Sequence, residues 1–434
     1  MFALQGQGFA AVSSRPAGFS SCGNMKPPSI DPSLSILSLL PVVALVVFAW
    51  WTSRSSSAAE SVVVRRAAFD IGSGATKLLV ADIDVSSGAV VGAPLYEVEK
   101  PMPYKADAQG SASGLLSDGI QQRGLALLIS LASKARQLGA VEANGVATEV
   151  FRTSPNGPQL LDEMSRRAGV HITTLTQEKE ACLGLATAEV LSGGAQALDL
   201  AGFAAVWDSG GGSFQITGRV PFSVPHSLVA PIATVPLRTY TGKLGTGPAF
   251  EVLQVRVLSR FFDLFDTAIN PVSTKQAEEL VRLLVTELPP ATPWLKGASV
   301  VAIGGWNSCF AVTRRAICLF VDECPEREGG ISADGMTNST GSDAGSIFTL
   351  AAARRALHAV TGRTDAQLLD VAGRGPEAEG ANLVVSKLSL VVAVASHLGI
   401  ERVRYVEAIA GNCAGLMTLG EFRPLRCCHP SGEQ

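Results

Sequence analysis

Two glycine-rich turns, each preceded by an aspartate and placed between apolar segments, most constrain how this chain of 434 residues can fold. They lie in residues 67–80, which contain Asp70, and in residues 205–216, which contain Asp208. Each pattern predicts a strand, a tight turn and a strand, since glycine tolerates positive φ and places no Cβ in the turn. One such turn is equally consistent with a plain hairpin. Two of them favour duplicated halves that face each other across a cleft.

The residue types in these turns suit a phosphate chain. Backbone N–H groups of a glycine-rich turn can converge on an anion, and an aspartate at a strand end can hold a metal ion. The candidate phosphate-binding residues are Gly72, Ser73, Gly74, Gly210, Gly211, Gly212 and Ser213. Asp70 and Asp208 are candidate ligands of a Mg²⁺ ion bound together with the phosphates.

Charge and composition exclude several other classes of protein. The formal net charge of −3 provides no basic field for nucleic acid. The five histidines are scattered, and the eight cysteines lack the CxxC spacing of a metal site. Carboxylates, backbone amides and a hard cation are therefore the chemical tools that we expect.

The N-terminal part, residues 1–61, contains an apolar run without a charge at residues 34–51, closed by Trp50 and Trp51. Its length is at the lower limit for a helix that spans a bilayer core of ~30 Å, and tryptophans are common at membrane interfaces. We expect a single-pass membrane anchor. A soluble, organelle-targeted protein that has lost its leader is the alternative, because the leader is free of acids and contains serines.

Periodicity and capping patterns predict the elements of the remaining chain. Ser117 is the expected N-cap of a helix that ends at Gly139. A short strand leads to Arg152. The hydroxyl of Thr176 followed by acids is typical of a helix start, and this pattern by itself would make Glu180 a capping residue. The remaining predictions are a loop at 101–114, a strand at 300–305, a surface insertion at 323–346, a helix at 348–360 and a glycine turn at 411–415.

The order of these motifs resembles that of the Ppx/GppA family of exopolyphosphatases and guanosine pentaphosphate phosphohydrolases, in the actin-like ATPase superfamily. The resemblance covers residues 63–417. The segments that carry it are residues 70–73, 114–117, 147–157, 180–181, 208–213, 301–307 and 387–417.

The resemblance implies an α/β fold with two RNase H-like lobes around a cleft, joined by crossing helices. Residues 62–195 would form the first lobe, residues 196–420 the second lobe with a closing helix, and residues 421–434 a tail. The last helix could also return to the first lobe. The oligomeric state stays open, a homodimer included.

The resemblance also implies roles for single residues. Glu180 would orient and deprotonate the attacking water, and Arg152 would face the phosphate chain. Asp208 would bind Mg²⁺, and Gln215 stands where the family has a further acid. The later turn, Gly304-Gly305, would hold an outer phosphate or a nucleoside, or would be a plain strand–helix turn.

The implied function is Mg²⁺-dependent release of terminal phosphate from polyphosphate or a guanosine pentaphosphate-type nucleotide. Four departures from the family pattern bear on catalysis: Gly74, Lys179, Cys182 and Gln215. The Ser-x-Gln ending of the second turn is similar to apyrase-type nucleoside triphosphate diphosphohydrolases, which leaves a nucleoside tri- or diphosphatase as one alternative. A catalytically weak phosphate- or nucleotide-binding protein is the other.

Overall fold

The computed structural model describes residues 62–86, 88–193, 202–219, 237–259, 269–321, 347–373, 380–419 and 421–425. The expected membrane anchor at residues 34–51 and the surface insertion at 323–346 lie outside the described residues. The same holds for the expected lobe boundary at 195–196 and for most of the tail.

The first sheet is built around a meander of three antiparallel strands, β1 (Val63–Ile71), β2 (Ala75–Asp84) and β3 (Val90–Pro101). Strand β4 (Glu142–Ala147) runs parallel beside β1, and β5 (Ile172–Thr174) runs parallel beside β4. Asp70 on β1 lies opposite Lys77 on β2.

The second sheet repeats this arrangement. Strands β6 (Ala205–Ser209), β7 (Phe214–Arg219) and β8 (Leu237–Gly242) form an antiparallel meander. Strand β9 (Ser299–Gly304) runs parallel beside β6, β11 (Arg402–Glu407) runs parallel beside β9, and the short β10 (Ile347–Thr349) closes the edge. Asp208 on β6 lies opposite Gln215 on β7. The repeated strand order confirms the two predicted α/β halves.

The helices of the first half cover its sheet. They are α1 (Tyr104–Gln109), α2 (Asp118–Gln137), α3 (Glu149–Thr153), α4 (Gly157–Ala168) and α5 (Gln177–Leu191). The predicted N-cap of α2 is confirmed, since the Ser117 hydroxyl accepts the Ile120 N–H. The prediction of a loop at 101–114 is wrong where α1 lies. Tyr104 anchors that helix by packing edge-on against Phe151 in the core, with ring centroids 4.9 Å apart.

The second half contains longer helices around a larger core. They are α6 (Thr246–Glu251), which continues as a π-helical segment (Val252–Val257), α7 (Thr274–Thr286), α8 (Cys309–Phe320), α9 (Leu350–Val360), α10 (Leu369–Ala372) and α11 (Val384–Leu398). Trp207 and Phe310 pack edge-on at its centre with ring centroids 4.9 Å apart. The helix predicted at 348–360 begins later than expected because β10 pairs with β11 first.

Helix α11 is apolar because it is a core helix. Residues Ala381–Leu398 are long enough to cross a membrane and have a mean hydropathy of 1.6, but 78% of this segment is buried inside the protein. Burial on nearly all sides accounts for the composition.

Two helices lie between the sheets. Leu183 on α5 packs with the first sheet, whereas Leu185 on the same helix packs with the second. The last helix, α12 (Cys413–Leu419), packs on β1, β2 and α5, and the final strand β12 (Arg423–Pro424) pairs with β4. The chain therefore returns to the first lobe, and the second-lobe range 196–420 ends too late. The turn predicted at 411–415 is also too long, since α12 starts at Cys413.

Candidate functional site

The first glycine loop follows β1 and is closed by a backbone hydrogen bond of 2.8 Å from the Gly72 N–H to the Ala75 carbonyl. Ser73 is buried in it. The Ser73 hydroxyl donates to Glu149 Oε2 (3.3 Å) and accepts from the Val150 N–H (3.3 Å). Because Glu149 and Val150 begin α3, the loop is attached to the start of that helix.

The second glycine loop follows β6 and has the same closure, with the Gly210 N–H donating to the Ser213 carbonyl at 2.9 Å. Gly245, just before α6, supports this loop from behind. A Cβ at Gly245 would lie 2.5 Å from the backbone nitrogen of Gly212, which only glycine avoids. No local sequence pattern marks Gly245, because its role depends on a contact with a distant loop.

The two loops face each other, as predicted from their pairing in the sequence. A Cβ at Gly211 would lie 3.5 Å from both the Gly74 nitrogen and the Ser73 Cβ. A cavity of about 880 Å³ opens beside the loops. The predicted site residues that line it are Asp70, Gly72, Ser73, Gly74, Glu180, Asp208, Gly210, Gly211, Gly212, Ser213, Gly304 and Gly305.

Asp70 and Lys77 form an ion pair at the base of the first loop. Lys77 Nζ lies 3.4 Å from Asp70 Oδ2. Burial lowers the pKa of the Lys77 ammonium, but the negative charges of Asp70, Glu99 and Asp208 outweigh that effect and raise this pKa above its ordinary value. Lys77 is not among the site residues predicted from the sequence. Its position opposite Asp70 across the hairpin is the signal that identifies it.

Asp208 occupies the equivalent position in the second half. Burial is the largest effect and raises the pKa of Asp208 above its ordinary value. A hydrogen bond from Asn412 and the charge of Lys77 act in the opposite direction. Gln215, opposite Asp208, is 2% exposed and donates its amide hydrogen to Ser213 Oγ (3.3 Å). It does not line the cavity. Gln215 is the cross-strand neighbour of one predicted metal ligand, Asp208, and its own role as a ligand stays a prediction.

Glu180 lies in the first turn of α5, whose N-cap is the predicted Thr176. Glu180 lines the cavity, and the residue is 8% exposed. Burial and, next, the negative charge of Asp208 raise the pKa of Glu180 to about 7, against the lowering effect of Arg152. The Glu180 carboxylate binds Arg152, so it does not serve as a helix cap.

Arg152 lies on α3, where the sequence predicted the end of a strand. Its Nη1 donates to Glu180 Oε2 (3.0 Å) and to the Leu175 carbonyl (2.5 Å). Arg152 does not line the cavity. The guanidinium contacts the Glu180 carboxylate and can orient it, while its predicted contact with a phosphate chain stays a prediction.

The third glycine turn, at the end of β9, closes the other side of the cavity. A Cβ at Gly305 would lie 2.0 Å from Glu99 Oε2, so β3 of the first half reaches across to this turn. Lys387 on α11 is 3% exposed and donates to both the backbone oxygen and Oδ1 of Asn307, at 2.7 Å each. Burial lowers the pKa of Lys387 to about 8.

Acidic groups outnumber basic groups in the cavity. The described lining contains six carboxylates, from Asp70, Glu99, Glu149, Glu180, Asp208 and Glu251, and three lysines, Lys77, Lys105 and Lys387. Lys105 is itself paired with Glu149 at 2.7 Å. A phosphate chain would add further negative charge, so the cavity suits such an anion only when cations accompany it.

The residues present fit a hard divalent cation bound together with phosphates. Within the described ranges, no group of three or more His, Cys, Asp or Glu side chains could hold a metal ion by itself. Mg²⁺ commonly uses only one or two carboxylates and completes its shell with phosphates and water. Asp70 and Asp208 would supply these carboxylates, and Asp70 Oδ1 is buried without a hydrogen-bond partner among the described residues.

No family model and no curated protein matches this chain. Among solved structures, the chain is similar to the Ppx/GppA enzyme of Aquifex aeolicus, with 15% identity, a TM-score of 0.54 and coverage of 82% of this chain and 99% of that one. It is also similar to an exopolyphosphatase from Cytophaga hutchinsonii, with 13% identity, a TM-score of 0.53 and coverage of 82% and 98%. An exopolyphosphatase-like protein gives 15% identity, a TM-score of 0.55 and coverage of 82% and 97%. The protein therefore has the fold of the Ppx/GppA enzymes, as the motif order predicts.

The support of the second loop by Gly245 is testable by adding one methyl group. We expect Gly245→Ala to destabilise the protein by about 1–3 kcal/mol, because the new Cβ overlaps backbone atoms that cannot move without displacing the loop. Thermal unfolding measures the effect. Gly119→Ala on α2 is the matched control, since its nearest atom is the Arg123 Nη1 at 3.8 Å. Equal stability of the two variants would show that the loop does not need glycine at 245.

The burial of Glu180 predicts a pH-dependent effect of Glu180→Gln on stability. The folded protein raises the pKa of Glu180 from 4.5 to about 7. The carboxyl is therefore protonated in both states below pH 4.5, and the cost of burying its charge grows between pH 4.5 and 7. At 1.36 kcal/mol per pKa unit, Glu180→Gln should stabilise the protein by up to roughly 3 kcal/mol above pH 7.

Thermal unfolding at pH 5 and pH 8 tests this expectation. The stabilisation by Glu180→Gln should be small at pH 5 and large at pH 8. Glu178→Gln, an exposed change in the same helical turn, should not stabilise at pH 8, since the pKa of Glu178 is lowered. A Glu180→Gln effect that is the same at both pH values would contradict the assigned cause.

Proposed function

We propose that this protein is a phosphoanhydride hydrolase of the Ppx/GppA type, which releases terminal phosphate from polyphosphate or a guanosine pentaphosphate-type nucleotide by attack of an activated water. The observation that carries this proposal is the position of Glu180. It is the buried carboxylate that lines the cavity beside both glycine loops and is held by Arg152.

The loops supply the binding groups in this proposal. Phosphate oxygens would accept hydrogen bonds from the backbone N–H groups of residues 72–74 and 210–213. Lys77 and Lys105, which line the same cavity, would add positive charge. Phosphoryl transfer depends chiefly on such positioning and charge stabilisation, since the protein forms no covalent bond to the phosphate.

Glu180 is suited to act as the general base. Arg152 binds its Oε2, which leaves Oε1 to accept a proton from water. A base is most effective when its pKa lies near the working pH, and the pKa of Glu180 is raised to about 7. A Mg²⁺ ion held by Asp70 and Asp208 would stabilise the charge on the transferred phosphate.

Phosphate release by the full-length protein tests the proposal. With Mg²⁺ and tripolyphosphate, medium-chain polyphosphate, guanosine pentaphosphate or ATP, we expect Glu180→Gln to lower kcat by ~10²–10⁴-fold, because the base is removed. The wild-type rate should rise with pH up to about 7, as Glu180 ionises. Glu178→Gln, whose carboxylate is exposed on the same helix, is the matched control. Equal rates for wild type and Glu180→Gln would exclude Glu180 as the base.

A nucleoside polyphosphate is a second candidate substrate, favoured by apolar side chains in the cavity lining. They include Phe250, Val255, Ile269 and Leu383. Linear polyphosphate has no apolar part that could use this surface, whereas a nucleobase buries its faces against such side chains. The excess of carboxylates in the lining also disfavours a long polyanion.

The apolar side chains in the lining predict that one substitution changes KM for nucleotides but not for polyphosphate. Phe250→Ala should raise KM for ATP or guanosine pentaphosphate by about tenfold, since one aromatic contact with a base contributes ~1–3 kcal/mol. KM for tripolyphosphate should not change, because that substrate lacks a base. Steady-state kinetics of both substrates on one preparation provides the internal control. The same change in both KM values would argue against binding of a nucleoside to Phe250.

A further inference from the structure

Asn412 contacts one acidic side chain from each lobe. It lies where the chain passes from β11 in the second sheet to α12 on the first, and it is 6% exposed. Its backbone N–H donates to Asp70 Oδ2 at 3.1 Å, and its side-chain Nδ2 donates to Asp208 Oδ2 at 3.0 Å. One residue thus connects the two carboxylates that lie at the ends of β1 and β6.

The remaining polar atom of Asn412 has no hydrogen-bond partner among the described residues. This atom, Oδ1, is buried, and Asn412 lines the cavity. The orientation of the amide follows from Asp208, because the reversed amide would place Oδ1 against a carboxylate oxygen. Leaving a buried acceptor without a partner costs ~1–3 kcal/mol. Asp70 Oδ1 is buried and unpartnered in the same way, so neither oxygen accepts a hydrogen bond from the described residues.

The surrounding chain holds Asn412 firmly in this position. Gly411 has a φ of +55°, and a Cβ there would lie 2.5 Å from Asp70 Oδ2. On the other side, the thiol of Cys413 donates to the Ala68 carbonyl at 3.2 Å. The backbone on both sides of Asn412 is therefore in close contact with β1.

We propose that Asn412 completes a divalent-cation site, with Oδ1 as a neutral oxygen ligand beside Asp70 and Asp208. This inference rests on the proposed function, which places a cation and phosphates in the same cavity. Asparagine oxygens are common ligands of hard cations. Asn412 would provide a third oxygen beside the two aspartates that it contacts.

Binding of Mn²⁺ to the full-length protein without substrate tests the proposal. Electron paramagnetic resonance measures the free ion and needs no turnover. Asn412→Leu keeps the backbone N–H to Asp70 and a similar side-chain volume but removes both polar side-chain atoms. We expect it to weaken Mn²⁺ binding at least tenfold. Asn382→Leu makes the same change at another asparagine of the cavity lining; it is the matched control and should bind Mn²⁺ like the wild type.

A second variant keeps the test decisive if Asn412→Leu does not fold. Asn412→Asp retains a side-chain oxygen at the position of Oδ1 and loses the donor to Asp208. If Oδ1 is a ligand, this variant should bind Mn²⁺ as tightly as the wild type or more tightly. Weaker binding by Asn412→Asp would show that only the donor matters and would overturn the ligand role.

The outcomes separate this inference from the proposed function. A wild-type protein that binds Mn²⁺, with the predicted loss in Asn412→Leu, but releases no phosphate would refute the hydrolase and support the cation site. A wild-type protein that releases phosphate, with Mn²⁺ binding unchanged in Asn412→Leu, would overturn the cation site alone. Absence of Mn²⁺ binding by the wild type would overturn it as well.

Discussion

Asp70 and Asp208 are buried at the carboxyl-terminal ends of the equivalent strands β1 and β6, and the rest of the cleft depends on this burial. A buried carboxylate is costly unless it is paired or hydrogen-bonded. Lys77 compensates Asp70 from the same hairpin, and Asn412 contacts both aspartates from the chain segment that joins the sheets. These contacts hold the two halves in one arrangement, and the opposed glycine loops follow from that arrangement.

The same burial shapes the chemistry of Glu180. Its pKa is raised first by desolvation and then by Asp208, so the residue is destabilising when ionised and suited to accept a proton near neutral pH. Arg152 moderates this effect and orients the carboxylate. Three elements thus set the environment of the buried base: α3 carries the arginine, α5 carries the glutamate and β6 carries the neighbouring aspartate.

Much of the fold could be predicted from the sequence because its signals are local. Apolar segments around glycine turns predicted both hairpins, and hydroxyl residues at helix starts predicted the N-caps at Ser117 and Thr176, which are confirmed. The errors have a shared cause. Helix α1 and strand β10 are short, and tertiary packing of Tyr104 and pairing with β11 stabilise them. Local propensity carries little information about such elements.

The sequence by itself determined the two strand–Asp–glycine–strand units and the presence of Glu180 at a helix start, since turn conformation and capping depend on neighbouring residues. Only the tertiary structure decided which side chains share the cavity. It paired Arg152 with Glu180, joined Gln215 to Ser213 by a hydrogen bond and placed Lys77 and Lys387 in the cavity lining. Asn412 reaches Asp70 from 342 positions away along the chain. Such a contact depends on how the last helix packs between the sheets, and no local pattern encodes that packing.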